Sequence, residues 1–294
     1  MVEQEQTSLE LLAYAKVNLT LDVGRLRSDG YHEINSVMQT INLADTLILS
    51  AAPEGITVSC TPSGAAPDGP ANLAYRALES LADRIAPAGV DLHIIKRIPT
   101  AAGLGGGSSD AATALKAANA LFKLNLTEVE LISLAARLGS DVAFFIRGGT
   151  ALAQGRGETV TVLPTLRPQW LVLVKPEFQV ATAEIYSRYQ PGQNRTWTTW
   201  FMAAVSRSDR DGMLANMGND LEPVAAAAHP QVSVLIKRLE GLGAERALMS
   251  GSGPTVFGVF PGEEEARAAA RQLDGGGEQV FVCRMIRPGE HSTG

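Results

Sequence analysis

The clearest hydrophobic pattern near the start of the chain is an alternation over residues 17–23. The odd positions are apolar, and the polar residues between them are Asn18, Thr20 and Asp22. Because successive side chains of a strand point to opposite faces, this pattern predicts a β-strand with one buried and one exposed face. Residues 34–50 contain two more β-rich stretches, which are separated at Ala44-Asp45.

Helical periodicity begins at residue 72. Asn72 has the position of an N-cap, and the apolar stripe that follows it at helical spacing consists of Leu73, Ala77, Leu78, Leu81 and Ile85. Residues 110–122 are rich in Ala and Leu, which are strong helix formers, and predict a second helix. Thr127 and Glu130 have the spacing of a capping box, which predicts a third helix that ends at Gly139.

Strands and helices continue to alternate in the second half. A turn at Gly148-Gly149 comes before two short predicted strands in residues 150–163. Later strands are predicted near residues 170–174, 246–250, 254–260 and 279–285. Helices are predicted near residues 182–190, 220–240 and 262–273. The class is therefore mixed α and β (α+β), with two domains divided around the PTLRP segment into residues 1–165 and residues 166–294.

Composition excludes several classes of protein. The 294 residues are 45% apolar and 19% charged, which is typical of a globular protein. A net charge of −6 argues against a general nucleic-acid binder, because such proteins need a basic surface. The acidic amino terminus does not resemble a targeting peptide, and no apolar run could span a bilayer, so we expect a cytoplasmic protein. The two cysteines and four histidines show no metal-ligand spacing, and we predict no metal-binding residue.

Residues 103–109 (GLGGGSS) stand directly before the predicted helix at 110–122. Glycine leaves the backbone open to a phosphate, and the N–H groups at a helix start point outward with the positive end of the helix dipole. A flexible turn with a serine cap is the plainer interpretation, but a strong helix follows at once. The predicted ATP-binding segment is Gly103, Leu104, Gly105, Gly106, Gly107, Ser108 and Ser109.

The segment differs from the common phosphate loops. A Walker A loop requires a Gly-Lys dipeptide, and the chain contains none. A Rossmann fingerprint would have a glycine in place of Ser108 and a strand that ends in an acidic residue about 20 residues later. In this chain the acidic residues at that distance, Glu128 and Glu130, begin a predicted helix instead. The protein-kinase HRD and DFG signatures are absent. The pattern therefore predicts a phosphate-binding loop of another type and argues against an NAD-dependent oxidoreductase.

Three segments together resemble the GHMP kinase superfamily. They are AYAKVNLTLDV at residues 13–23, PTAAGLGGGSSDAA at 99–112 and MSGSGPTVFGVF at 249–260. Two further segments, SDGYHE at 28–33 and LGSDVAFFIRGG at 138–149, are similar to the 4-diphosphocytidyl-2-C-methyl-D-erythritol kinase family within it. The resemblance implies an N-terminal ribosomal-protein-S5-domain-2-like nucleotide domain and a C-terminal ferredoxin-like domain. It also implies ATP-dependent phosphorylation of the 2-hydroxyl of a cytidylyl substrate, in non-mevalonate isoprenoid biosynthesis.

The same resemblance implies roles for individual residues. Lys16 and Asp141 are the expected catalytic pair, although from residue type alone Lys16 would be a surface charge and Asp141 a helix N-cap. Asn72 and Lys96 are expected beside the nucleotide. The expected substrate-binding residues are Asn18, Tyr31, His32, Thr182 and Tyr186. Mg²⁺ is expected with ATP, because it neutralises the β- and γ-phosphate oxygens.

Two alternatives stay open at this stage. Another small-molecule kinase of the GHMP superfamily would share the glycine-rich segment but would lack DGYH at 29–32. A nucleotide-binding protein without turnover would share the fold, although the presence of both Lys16 and Asp141 argues against it. The partner is expected to be a small molecule, and the chain is expected to be a monomer or a weak homodimer.

Overall fold

The computed structural model describes residues 8–191, 196–273 and 275–290, so the acidic residues 1–7 lie outside it. The described strands are β1 (Ser8–Asn18), β2 (Thr20–Leu26), β3 (His32–Ala52), β4 (Ile56–Thr61), β5 (Gly89–Ile95), β6 (Thr150–Gly155), β7 (Thr159–Val162), β8 (Trp170–Lys175), β9 (Gly218–Asn219), β10 (Arg246–Met249), β11 (Val256–Phe260) and β12 (Gln279–Arg284). The described α-helices are α1 (Leu73–Glu79), α2 (Ala82–Ile85), α3 (Gly106–Leu121), α4 (Glu128–Leu138), α5 (Val142–Arg147), α6 (Thr182–Arg188), α7 (Trp197–Ser206), α8 (Arg210–Ala215), α9 (Glu222–Ala228), α10 (Gln231–Gly241) and α11 (Glu263–Leu273). None of these helices has both the length and the apolar character that a membrane crossing requires.

The chain forms two compact units, each made of separate stretches. The first contains residues 8–15, Leu43–Thr100 and Gly105–Arg147, and the second contains Lys16–Asn42, Ala101–Leu104 and residues 148–290. Strands β1 and β3 therefore each begin in one unit and end in the other. The domain division predicted at residue 165 stays a prediction.

In the first unit, strand β5 pairs with two neighbours. It is antiparallel to the second part of β3 and parallel to β4. The cross-strand pair Leu49 and Leu92 is fully buried, which shows one face of this sheet turned to the core. Helix α3 is buried along six apolar residues: Ala111, Ala112, Ala114, Leu115, Ala117 and Ala118. Small alanine side chains allow close helix packing, and α3 lies against α1, α4 and α5.

The second unit contains a four-stranded antiparallel sheet in the order β10-β11-β8-β12. All five residues of Val256–Phe260 are buried, so both faces of β11 are covered and the strand is a continuous apolar run. Helices α10 and α11 lie against this sheet. In the same unit, the first part of β3 pairs with β2 and β6, and β9 pairs with β2 in parallel. These pairings bring residues 16–42 and 218–219 to neighbouring positions.

Local sequence signals are confirmed most clearly. Helix α4 begins with the full capping box of Thr127 and Glu130 and ends before Gly139. Gly148 and Gly149 both have a positive φ, of 68° and 74°, as expected for a glycine turn. Asn72 caps α1 by accepting a hydrogen bond from the backbone of Ala74.

The predicted break at Ala44-Asp45 is wrong, because β3 continues from His32 to Ala52. The buried carboxylate of Asp45 accepts hydrogen bonds from the backbone N–H groups of Arg97 and Ile98, at 2.5 and 2.8 Å. An acidic residue is tolerated inside this strand because the fold supplies it with donors.

The single helix predicted over residues 220–240 is also wrong. Helix α9 ends at Ala228, and α10 begins at Gln231. Pro230 lies between them and cannot donate a backbone hydrogen bond, which explains the interruption. Strand β4 and helices α5, α7 and α8 are further elements that the pattern did not predict.

Candidate active site

The side chain of Lys16 is buried at the end of β1, in the second unit. The residue is 4% exposed, so its interpretation as a surface charge is wrong. Its Nζ donates to Asn18 Oδ1 at 2.6 Å and to the carbonyl of Gly103 at 3.1 Å. The backbone N–H of Lys16 also donates to the carbonyl of Leu104 at 3.0 Å. These bonds fix the ammonium group against the first part of the glycine-rich segment.

The polar face of residues 17–23 is buried as well as the apolar face. Asn18 and Thr20 are 4% and 0% exposed, so the predicted half-buried strand is wrong. Asn18 Nδ2 donates to Ser36 Oγ at 2.7 Å, and Ser36 Oγ donates to the carbonyl of Thr20 at 2.6 Å. The hydroxyl of Thr20 lies 2.8 Å from that of Thr198 on α7. The burial of Asn18 and Thr20 is tolerated because both side chains have hydrogen-bond partners.

Gly103 occupies a position that no other residue fits. Its φ is +75°, and a Cβ atom there would lie 2.2 Å from the carbonyl oxygen of Ser250. The hydroxyl of Ser250 donates to the carbonyl of Gly103 at 2.9 Å. The turn between β10 and β11 therefore lies directly against the glycine-rich segment in the second unit.

The start of helix α3, in the first unit, has the free backbone N–H donors that the glycine-rich sequence predicts. Gly105 is the N-cap with φ 73°, and the first bond within the helix runs from Ser109 N to Gly105 O at 2.9 Å. The N–H groups of Gly106, Gly107 and Ser108 consequently have no acceptor within the helix. This is the arrangement that binds a phosphate at a helix N-terminus.

Two members of the predicted ATP-binding segment have other contacts. Leu104 is 1% exposed, so its side chain belongs to the core. Ser109 is also buried, and its hydroxyl donates to the carbonyl of Tyr14 at 2.7 Å. Among the segment's side chains, Ser108 is the partly exposed hydroxyl.

Lys96 lies beneath the same segment and is paired with two carboxylates. Its Nζ is 2.5 Å from Asp45 Oδ2 and 2.6 Å from Asp110 Oδ2, and all three side chains are at most 4% exposed. A Cβ atom on Gly106 would lie 3.5 Å from Lys96 Nζ. The ammonium group of Lys96 therefore lies close to the start of α3, in the first unit.

One cation cannot fully compensate two buried carboxylates. Burial raises the pKa of Asp110 to about 7, although the charge of Lys96 opposes the rise. Asp110 Oδ1 is buried and has no hydrogen-bond partner among the residues that the structure describes. Burial lowers the pKa of Lys96, but the two carboxylates outweigh it and the pKa is raised overall. Asp110 therefore takes up a proton at a higher pH than an ordinary carboxyl group does.

Aromatic side chains surround His32, one of the expected substrate-binding residues, in the second unit. The ring of His32 lies 5.8 Å from Tyr186 and 5.7 Å from Tyr189, measured between centroids. Nδ1 of His32 is bonded to the carbonyl of Gly24 at 2.9 Å. Tyr31 is 51% exposed. The guanidinium carbon of Arg156 lies over its ring, 5.3 Å from the ring centroid. The hydroxyl of Tyr189 is also tied down, because it donates to the carbonyl of Val23 at 2.8 Å.

Thr182 and Asp141 are the two remaining residues that the sequence predicts for the site. Thr182 begins α6 and lies exposed, with its hydroxyl 2.9 Å from that of Ser252. Asp141 directly precedes α5 and is half-buried, in the first unit. Its joint action with Lys16 stays a prediction.

Comparison with known proteins identifies the family. The models "GHMP kinases N terminal domain" and "GHMP kinases C terminal" match residues 72–149 and 201–279. A 4-diphosphocytidyl-2-C-methyl-D-erythritol kinase of Moorella thermoacetica is 47% identical over 95% of this chain and 99% of its own length. The chain belongs to the 4-diphosphocytidyl-2-C-methyl-D-erythritol kinase family. A relative from Pelotomaculum thermopropionicum with the same name is 46% identical, over 94% of this chain and 98% of its own.

Solved structures agree with membership of this kinase family. A crystal structure of 4-(cytidine 5'-diphospho)-2C-methyl-D-erythritol kinase gives a TM-score of 0.80 at 36% identity, covering 94% of this chain and 99% of that one. A homoserine kinase from Cytophaga hutchinsonii gives a TM-score of 0.79 at 19% identity, covering 99% and 98%, and shares the fold. The predicted two-domain GHMP kinase fold of the α+β class is confirmed.

Several residues at or next to the candidate site were not predicted from the sequence. Asp45 and Asp110 are ordinary acidic residues in their local sequence, and nothing there marks them as partners of Lys96. Ser36, Tyr189 and Asn219 give no distinct local signal either. Tyr189 follows Tyr186 at helical spacing, which is the one clue that could have placed it on the same face.

Replacing Asp110 by Asn should change the pH dependence of stability. Folded Asp110 holds its proton up to about pH 7, whereas the unfolded chain releases it near the ordinary carboxyl pKa of 3.8. The unfolded state therefore binds fewer protons in this interval, and wild-type stability falls as pH rises through it. One group changes the free energy of unfolding by at most about 1.4 kcal/mol per pH unit.

Urea unfolding of the wild type and of Asp110→Asn between pH 4.5 and 7.5 measures this pH dependence of the free energy of unfolding. The stability of Asp110→Asn relative to wild type should increase with pH, whereas the exposed Asp83→Asn should follow wild type. Parallel curves for Asp110→Asn and wild type would contradict the raised pKa.

Proposed function

We propose that this protein transfers the γ-phosphate of ATP to the 2-hydroxyl of 4-diphosphocytidyl-2-C-methyl-D-erythritol, giving the 2-phosphate and ADP. The observation that carries this proposal is the buried ammonium of Lys16, held at 3.1 Å from the Gly103 carbonyl of the glycine-rich segment. Relatives that are 42–47% identical over nearly the whole chain bear this enzyme's name. The reaction would supply the phosphorylated intermediate of non-mevalonate isoprenoid biosynthesis. The cytoplasmic location and the monomeric or weakly dimeric state stay predictions.

The proposed chemistry is a displacement at phosphorus. The oxygen of the 2-hydroxyl forms a bond to the γ-phosphorus, the bond from that phosphorus to the bridging oxygen breaks, and ADP leaves. Asp141 orients the hydroxyl and accepts its proton, while the ammonium of Lys16 stabilises negative charge that develops on the attacking oxygen. Because positioning supplies much of the rate in phosphoryl transfer, the fixed geometry of Lys16 supports this role.

ATP binding is assigned to the start of α3. The N–H groups of Gly106, Gly107 and Ser108 offer three donors to phosphate oxygens, and the helix dipole favours their negative charge. Lys96, which lies under Gly106 and is paired with Asp45 and Asp110, is proposed on the nucleotide side, and Asn72 is proposed beside the adenine. The described residues contain no group of three or more His, Cys, Asp and Glu side chains that could hold a metal ion.

Mg²⁺ is proposed to come with ATP, where it neutralises charge on the β- and γ-phosphates. Mg²⁺ keeps several waters and takes few protein oxygens in such sites. The partly exposed hydroxyl of Ser108 fits this donor set, since the hydroxyl of Ser109 is buried on Tyr14. No dedicated metal-ligating residue is assigned.

The cytidine ring is assigned to the aromatic cluster in the second unit. Tyr31 and Tyr186 supply stacking surfaces, which any base can use. Because Nδ1 of His32 donates to Gly24, Nε2 is an acceptor in the neutral ring and suits the amino group of cytosine. Asn18 and Thr182 are proposed as polar contacts to the rest of the substrate.

A coupled assay of ADP release tests this function. Purified protein with ATP and Mg²⁺ should release ADP with 4-diphosphocytidyl-2-C-methyl-D-erythritol, and the rate should be far lower with galactose, homoserine or mevalonate. A preference for one of the three controls would identify another GHMP kinase. ATP binding without ADP release for any acceptor would identify a nucleotide-binding protein without turnover.

Asp141→Asn should lower kcat by about 100-fold or more, because loss of a positioned base typically costs that much. Asn caps helices as well as Asp does, so the variant should stay folded even if position 141 also caps α5. Asp209→Asn is the matched control, since Asp209 caps α8 through the N–H of Gly212. A folded Asp141→Asn enzyme with near-normal kcat would reject the role.

Tyr186→Ala should raise KM for the cytidylyl substrate by about tenfold, since loss of one stacking contact costs roughly 1–3 kcal/mol. KM for ATP should stay within about twofold. Tyr186→Phe keeps the ring and serves as the control, and its KM for the cytidylyl substrate should rise far less than that of Tyr186→Ala. Equal increases of both KM values would argue against a base-stacking role.

A further inference from the structure

Asn219 is a buried side chain whose hydrogen bonds all go to backbone. It is 5% exposed and lies in β9, opposite Leu21 of β2. Its Nδ2 donates to the carbonyls of Met249 and Gly251, at 2.8 and 2.7 Å. Its Oδ1 accepts from the N–H of Leu221 at 2.9 Å. Both amide donors and the carbonyl oxygen are therefore in use.

The two carbonyls that Asn219 holds are on either side of Ser250. They belong to the turn that joins β10 to β11, and Gly251 within it has φ +58°. The turn closes on itself through the bond from Ser250 N to Thr255 O at 2.9 Å. Asn219 thus anchors the first half of the turn to a different strand.

This turn forms part of the surroundings of the Lys16 ammonium. A Cβ atom on Gly251 would lie 3.4 Å from Lys16 Nζ and 3.3 Å from the Gly103 carbonyl oxygen. The hydroxyl of Ser250 and the ammonium of Lys16 donate to that same carbonyl, at 2.9 and 3.1 Å. A shift of the turn would therefore disturb the acceptor that holds Lys16.

We propose that Asn219 is a positioning residue for phosphoryl transfer: by holding the carbonyls of Met249 and Gly251, it fixes the turn against which Lys16 and Gly103 are aligned. The hydrogen bonds of the Asn219 side chain go to Met249, Gly251 and Leu221, and not to Lys16 or Gly103. This inference rests on the proposed kinase function. Its consequence is kinetic, because a misplacement of a catalytic group by about 1 Å can lower a rate by roughly 100-fold.

Asn219→Asp is the sharpest variant. It keeps the size of the side chain and the acceptor for Leu221, but it replaces the two N–H donors by an oxygen that faces two carbonyl oxygens. We expect kcat to fall by roughly 100-fold, while KM for ATP and for the cytidylyl substrate changes less than about threefold. Asn216→Asp is the control, since Asn216 Nδ2 donates to a single carbonyl, that of Gly212, and should leave kcat unchanged.

The outcomes separate the inference from the function on which it rests. A folded Asn219→Asp enzyme with kcat within twofold of an active wild type would overturn the inference alone. If Asn219→Asp does not fold, Asn219→Ser, which keeps one donor, is measured in the same way. Failure of both variants to fold would show a purely structural role and would also overturn it. A wild-type protein that releases no ADP would contradict the proposed function and this inference together.

Discussion

The buried ammonium of Lys16 is the interaction on which the candidate site depends. Removing such a charge from water costs several kcal/mol unless oxygen acceptors replace the lost hydration. Two of these acceptors are Asn18 Oδ1 and the carbonyl of Gly103. Because the second belongs to the glycine-rich segment, the bond that compensates the charge also fixes the backbone next to it. The same hydrogen bond thus lowers the cost of burying the ammonium group and holds the site in alignment.

The first unit shows the opposite balance of charge. Two buried carboxylates share the ammonium of Lys96, and Asp45 has in addition two backbone N–H donors. Asp110 lacks such donors for its Oδ1 among the described residues, and burial raises the pKa of its carboxyl to about 7. Asp45 thus has three partners in Lys96 and two backbone N–H groups, whereas Asp110 has an oxygen unpaired within the described part of the chain and a raised pKa. Its position under Gly106 links this asymmetry to the start of α3.

Features set by local sequence were predictable, and features set by distant contacts were not. The capping box at Thr127 and the glycine-rich start of α3 depend on residues within one helical turn of each other. The burial of Asn18 depends on Ser36 and on Ser250, which is 232 positions away. An alternating pattern cannot show whether its polar face meets water or a second polar layer, so residues 17–23 were predicted to be half-buried. The continuous β3 was missed for the same reason, since the donors to Asp45 come from residues 97 and 98.

The glycine-rich segment combines three physical requirements that a motif cannot separate. Gly103 is needed because a Cβ atom would collide with the carbonyl of Ser250, and Gly105 is needed because the N-cap has φ 73°. Residues 106–108 present N–H groups without acceptors inside the helix. The motif therefore predicts the free N–H donors at the start of α3, whereas part of its glycine content reflects close packing against the turn at Ser250. The same turn is anchored by Asn219, so the shape of the segment is decided partly by a residue more than a hundred positions away from it.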